Sequence, residues 1–253
     1  MIAFEINEGV GRLTLDRPPV NALDRTMIEL LDSAIEQIRA TDECAALIVQ
    51  SNAKVFCAGA DIDMLKGFIF GPNAEEDVFT LSTTMQAVFE KLESLPIPTI
   101  AAIEGAATGG GLELALACDL RIASETAVLG LPELKLGLVP AAGGTQRLVR
   151  VAGRSNATKA ILMGDLYGGA AALQMGIVDW ATPRDNVRTL AAGVALAMAD
   201  KPRNGVEAVK ACLRLAESSE GYRAESNAAR RLIGDPSTRA RVEAFLAKSS
   251  RVR

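Results

Sequence analysis

The sequence contains no histidine, and that single absence removes several chemistries together. Ser/His/Asp hydrolysis, Cys/His catalysis and the usual zinc and iron sites all depend on an imidazole. Acid and base work must therefore fall to Glu, Asp, Lys, Tyr or Cys. Cysteine is scarce as well: Cys44, Cys57, Cys118 and Cys212 are scattered with no CxxC pair. Neither a disulfide framework nor a zinc knuckle is suggested, and the four read as small core residues in a reduced compartment. Aromatic residues make up only 4% of the chain against 49% hydrophobic residues, so the core must be built from Ala, Leu, Val and Ile. No apolar run approaches the ~20 residues that span a bilayer. The opening MIAFEINEG has no basic segment followed by an apolar one, and a cytoplasmic location is expected. The 31 acidic and 27 basic residues are well mixed, with a net charge of -4, so there is no basic stripe for a nucleic-acid partner.

What is present is a repeating pattern. At 253 residues the chain can bury one α/β core with a small helical appendage. Ile2 to Ile6 and Val10 to Leu15 suit a short strand pair around Gly9 and Gly11. Met27, Leu30, Leu31, Ala34, Ile35 and Ile38 then recur at helical spacing after Asp24, a candidate cap. Ala45 to Val49 reads as a strand that empties into the aperiodic loop SNAKVFCAGAD. Val78, Leu81, Met85, Val88, Leu92 and Leu95 mark a second amphipathic helix, which Pro96 and Pro98 stop. Thr99 to Ile103 is the next strand, feeding GAATGGG. Strand, glycine loop and helix in repetition argue for crossover connections and an α/β class. From Ser155 onward the pattern turns mostly helical, with Val187, Leu190, Ala191 and Val194 in one helix and Val242, Phe245 and Leu246 in the last. The expected division is an α/β core over 1–195 and a helical region over 196–253.

Two places stand out chemically. Gly109, Gly110 and Gly111 lie between a predicted strand and a predicted helix, where bare amides can face a ligand. A tight turn requiring positive φ explains the same triplet, and no GxGxxG or GxxxxGK[ST] pattern can be drawn for a phosphate cradle. Glu113 follows among Leu112, Leu114, Ala115 and Leu116, which leave it little polar face to join. Glu133, in LGLPELKLGLVP, is placed similarly, although Lys135 offers an ion pair. Two carboxyl groups in one apolar pocket cannot both ionise near ~4.3, so one can give a proton while the other takes one. That division suits hydration of an activated alkene without metal or histidine.

Together these pieces resemble the crotonase superfamily, the enoyl-CoA hydratase/isomerase family. The likeness runs through LTLDRPPVNAL (Leu13 to Leu23), FCAGADI (Phe56 to Ile62), GGGLELALACDLRIAS (Gly109 to Ser124), LPELKLGLVPAAGGTQRL (Leu131 to Leu148) and MGIVD (Met175 to Asp179), in the family's order and spacing. It implies an α/β superhelix of repeated ββα turns with a C-terminal helical region, assembled as a homotrimer or homohexamer. It also implies an oxyanion hole made by the amides of Ala60 and Gly110 for a thioester carbonyl. The substrate would be an acyl-CoA lying against Ala58, Ala60, Asp61 and Ile62, and the family needs no further cofactor and no metal. The family's hydratases carry glutamates at the positions of Glu113 and Glu133, whereas many isomerases keep only the second. By that likeness Glu113 holds and deprotonates water and Glu133 protonates C2 of a trans-2-enoyl-CoA, giving the 3-hydroxyacyl-CoA or running the reverse dehydration. Double-bond isomerisation by Glu133 alone and non-catalytic acyl-CoA binding are the alternatives. AFLAK (Ala244 to Lys248) resembles the segment that family members lend to a neighbouring subunit's coenzyme site, which makes Phe245 and Lys248 candidates. As residues, the two read equally as a core aromatic and a solvated lysine. Ala141 departs from the family's PGAGG form and brings a methyl group near the expected water site. Phe68 to Asp77 carries no family signature and is expected to shape the acyl pocket.

Overall fold

The computed structural model describes residues 1–216 and 218–249. Strands β1 (Ile2–Asn7) and β2 (Val10–Leu15) form an antiparallel hairpin. Helix α1 (Arg25–Arg39) is followed by β3 (Ala46–Ser51), α2 (Ile62–Ile69), α3 (Ala74–Glu93), β4 (Thr99–Ile103), β5 (Ala107–Thr108) and α4 (Gly110–Leu116). Then come β6 (Leu120–Ser124), β7 (Val128–Gly130), a 3-10 turn at Glu133–Leu136, α5 (Gly144–Met163), β8 (Tyr167–Gly168), α6 (Gly169–Gln174) and β9 (Trp180–Thr182). A second 3-10 turn, Arg184–Asn186, leads into α7 (Val187–Ala199), α8 (Arg203–Leu213), α9 (Gly221–Ile233) and α10 (Pro236–Ser249).

The strands form a sheet in the order β1-β2-β3-β4-β6-β9 and a smaller one in the order β5-β7-β8. From β2 to β9 the large sheet is parallel. A parallel sheet is covered on both faces, and the alternation along β3 and β4 shows how. Leu47, Val49, Ala101 and Ile103 join the core shared with α1, α3 and α4. Ala46, Ile48, Ile100 and Ala102 turn to the opposite face, where Val187, Ala191 and Ala195 of α7 cover them. Small alanines there let the helix lie close. The Asp24 carboxylate accepts the Met27 amide, capping α1 as its sequence suggests.

Several sequence expectations need adjustment. Leu30 is 40% exposed, off the buried face of α1 that Met27, Leu31, Ala34, Ile35 and Ile38 form. After Ser155 the chain is mostly helical as its pattern suggests, with the short strands β8 and β9 interposed. Strands of two or three residues are too short to show alternation. Residue 195 itself lies within α7, which packs on the sheet. In α10, Val242, Phe245 and Leu246 are all exposed, because that helix lies chiefly against α9 and not over the main core. A core reading of Phe245 is thereby set aside. Among the described residues no helix is long and apolar enough to cross a membrane.

Candidate active site

Topology gathers the candidate residues before any side chain is considered. Strands β3 and β4 are parallel neighbours, so their following loops leave from the same edge, where parallel sheets place their sites. An isolated parallel bridge, Cys57 to Ala107, holds the two loops together. Asn21 anchors the first loop: it is wholly buried and its Nδ2 donates to Ser51 Oγ at 2.7 Å and to the Phe56 carbonyl at 2.9 Å. A second bridge, Leu23 to Ala60, is made by the Leu23 amide on the Gly59 carbonyl and the Asp61 amide on the Leu23 carbonyl. In that pattern the intervening Ala60 amide faces away from Leu23. A Cβ placed on Gly110 would lie 3.6 Å from the Ala60 nitrogen. Among the described residues neither the Ala60 nor the Gly110 amide has an acceptor. Gly110 opens α4, so its amide also carries the helix's positive end.

The triplet's glycines answer to contact as well as to conformation. A Cβ on Gly111 would meet the Cys57 carbonyl oxygen at 2.0 Å. The first turn of α4 therefore lies directly on the loop that supplies Ala60.

Glu113 is 2% exposed, inside the short α4. Its Oε1 accepts the Ala142 amide at 2.8 Å and the Gly144 amide at 2.7 Å. Burial pushes its carboxyl up to about 7, and the charge of Glu133 pushes the same way. The two amides and the Arg147 guanidinium pull against them. Glu133 arrives by a different route. Strand β7 pairs in parallel with β5 in the register Thr108 to Gly130, and the Gly109 amide donates to the Gly130 carbonyl at 2.9 Å. Three residues on, Glu133 lies beside Gly109, where a Cβ would come within 3.1 Å of its Oε1. Its Oε2 is buried with no hydrogen-bond partner among the described residues, and burial raises its pKa. Lys135 pairs with Asp165 at 3.7 Å, so the ion pair considered for Glu133 does not form. Among the described residues the arrangement is two amides without acceptors near two carboxyl groups of raised pKa, one of them clamped and the other with an unpartnered oxygen.

The remaining candidates divide. Ala58, Ala60, Asp61 and Ile62 line a cavity of about 340 Å³ with Arg17, Pro18 and Val20. Ile62 is 80% exposed there. The Asp61 carboxylate is already engaged: it caps α2 through the Asp63 and Met64 amides and pairs with Arg17 at 3.2 Å. Those amides, the Met64 one foremost, together with Arg17 hold its pKa below the ordinary carboxylate value. Phe245 sits on α10, 69% exposed, and the Lys248 side chain lies outside the described residues. Ala141 turns its carbonyl to Gln86 Nε2 at 2.7 Å. Sequence reasoning missed the Ala142 and Gly144 amides, Arg147 and the Arg17 link. The signal for the first three was PAAGGTQRL, whose glycines and arginine needed a reason.

A buried carboxyl group and a half-buried one lie with the Ala60 and Gly110 amides at the sheet's carboxyl edge, the kind of arrangement that acid–base chemistry on a developing oxyanion requires. The sequence model of the enoyl-CoA hydratase/isomerase family matches residues 5–249, and the chain belongs to that family. It is 43% identical over 180 residues to a probable enoyl-CoA hydratase of Bacillus subtilis (strain 168), covering 70% of this chain and 67% of the relative. It is 36% identical over 219 residues to a probable enoyl-CoA hydratase of Mycobacterium bovis, covering 86% of this chain and 82% of the relative. Other relatives are matched over less of their length: the chain spans 56% of an Arabidopsis thaliana relative and 65% of one from Mus musculus. Among solved structures, the enoyl-CoA hydratase from Bacillus anthracis superposes with a TM-score of 0.91 at 32% identity, over 98% of this chain and 96% of that one. The fold is the crotonase α/β superhelix with its C-terminal helices.

Proposed function

We propose that this chain is an enoyl-CoA hydratase, adding water to a trans-2-enoyl-CoA to give the 3-hydroxyacyl-CoA, or catalysing the reverse. The observation that carries the reading is the state of Glu113: buried, held by the Ala142 and Gly144 amides on one oxygen and poised at about 7. A base is most effective when its pKa lies near the working pH. Glu113 orients and deprotonates the water that attacks C3. Electron density moves to the thioester oxygen, where the Ala60 and Gly110 amides receive it; donors of this kind contribute ~3 to 4 kcal/mol. Glu133 then supplies a proton to C2. The proton Glu113 took and the one Glu133 gave make the two a coupled pair, so the titration belongs to both. The reaction so drawn uses no metal and no redox cofactor. The coenzyme lies along Ala58, Ala60, Asp61 and Ile62, with Phe245 and Lys248 offered to a neighbouring subunit of a trimer or a pair of trimers.

The test is Glu113→Gln, followed by loss of the ultraviolet absorbance of crotonyl-CoA. Hydration is expected to fall by ~10²- to 10⁴-fold. Retained hydration overturns the assignment. A variant that loses hydration of 2-enoyl-CoA but never isomerised a 3-enoyl-CoA supports it, whereas wild-type isomerisation that survives Glu113→Gln and dies with Glu133→Gln assigns the site to an isomerase. Binding of crotonyl-CoA without turnover of any enoyl-CoA would point to a carrier.

A further inference from the structure

Ala142 is held from both sides. Its amide rests on Glu113 Oε1, and its carbonyl accepts Nη1 of Arg147 at 2.9 Å. Arg147, on α5, is 8% exposed, and its Nε donates to Glu93 Oε2 at 2.8 Å. Glu93, at the end of α3, also receives Arg150 on its other oxygen at 3.1 Å. Between Ala142 and Gly144, Gly143 has φ +105, and a Cβ there would meet Arg147 Nη1 at 2.1 Å. The loop is thus folded around the guanidinium. Burying an arginine is expensive unless its donors are all placed. A lysine cannot replace it, because only the planar fork addresses a carboxylate and a carbonyl along two fixed directions.

We propose that Arg147, anchored by Glu93, is a positioning residue for Glu113. It pins the peptide joining Ala142 to Gly143, which lies between the two peptides whose amides grip Oε1. With that plane fixed, both amides stay aimed at one oxygen and the other is left for water. The inference rests on reading Glu113 as the base. The charged groups acting on Glu113 are Glu133, from the 3-10 turn, and Arg147, from α5. Arg121 of β6 is turned to Asp179 at 3.0 Å, and the Cys57 and Cys118 thiols packed nearby are pushed up to about 12 and stay neutral.

The experiment compares Arg147→Gln, Arg147→Lys and Glu93→Gln with the wild-type protein. The Glu113 carboxyl is titrated by ¹³C NMR, assigned through Glu113→Gln, and kcat and KM for crotonyl-CoA are measured across pH. Arg147→Gln is expected to move the Glu113 midpoint upward and lower kcat ~10- to 100-fold with little change in KM. Arg147→Lys, which keeps the charge and loses the fork, restores the midpoint and not kcat. A folded Arg147→Gln with an unmoved midpoint and unmoved kcat, or a loss confined to KM, overturns the proposal. Should Arg147→Gln not fold, Glu93→Gln decides, since it keeps the guanidinium and removes its anchor: lowered kcat supports the proposal and wild-type kcat overturns it. Failure of the base assignment is separable, because it appears as hydration retained in Glu113→Gln, while the titration shift needs no turnover.

Discussion

The amide of Gly144 donates to Oε1 of Glu113 at 2.7 Å, joining the first turn of α5 to the first turn of α4 across 31 positions of sequence. The contact leaves no room for a side chain. A Cβ at residue 144 would lie 2.9 Å from that same oxygen and 2.9 Å from Pro140 Cβ. Gly144→Ala is therefore expected to push the carboxylate off its amides. Displacement of a reacting group by even part of an ångström can cost ~10²-fold, and kcat for crotonyl-CoA should fall by about that much. Near-wild-type kcat would show that the clamp does not orient Glu113.

The raised carboxyl of Glu113 also links stability to pH. Its folded pKa of about 7 lies above the ordinary value of 4.5. Between those values the folded chain holds a proton that the unfolded chain has released, so stability declines as pH rises through that window. At about 1.4 kcal/mol per unit, the full effect is on the order of 3 kcal/mol. Denaturant unfolding of wild type and Glu113→Gln at pH 4.5 and pH 8 checks the sign: the wild type should lose more stability over that interval than the variant. An equal loss in both would refute the linkage. The same protonation predicts that kcat for hydration falls as pH drops below about 7.

Gly111 carries a purely steric demand. Its missing Cβ would sit 2.0 Å from the Cys57 carbonyl oxygen, a backbone atom in a bridged loop that cannot turn aside. Gly111→Ala should cost several kcal/mol, as overpacked or strained core positions do, and thermal unfolding will report it. The variant should also lose activity at permissive temperature, since the Ala60 and Gly110 amides would be driven apart.

Asp61 joins two helix starts. Its side chain caps α2, while Arg17 reaches both it and Asp24, the cap of α1. Loss of an aspartate cap costs ~1 kcal/mol, so Asp61→Ala should be modestly less stable. The larger effect should be on KM for the acyl-CoA, because Ala60 and Ile62 flank the lost cap in the cavity wall. A change in stability with KM intact would separate the cap from coenzyme binding.

Much of this was open to inspection in the chain itself. Periodic leucines and isoleucines announce α1, prolines announce the end of α3, and glycine loops after strands announce crossovers. Those signals are local, produced by residues within one turn or one strand of each other. Glu113 and Glu133 could be singled out because their immediate neighbours are apolar. Shorter elements such as β8 and β9 escaped, since two or three residues cannot display a period.

The missing histidine, the glycine triplet, the isolated carboxylates and the ordered family motifs are properties of the sequence alone, and they were enough to name an α/β fold and the enoyl-CoA hydratase/isomerase family. Only the folded chain decided which amides grip Glu113, that one Glu133 oxygen is buried, and that Arg147 and Glu93 stand behind the clamp. The Glu113 contacts with Ala142 and Gly144 and the Arg147 contact with Glu93 each join residues tens of positions apart. Their partners are chosen by parallel strand register and helix packing, which no short window of sequence records.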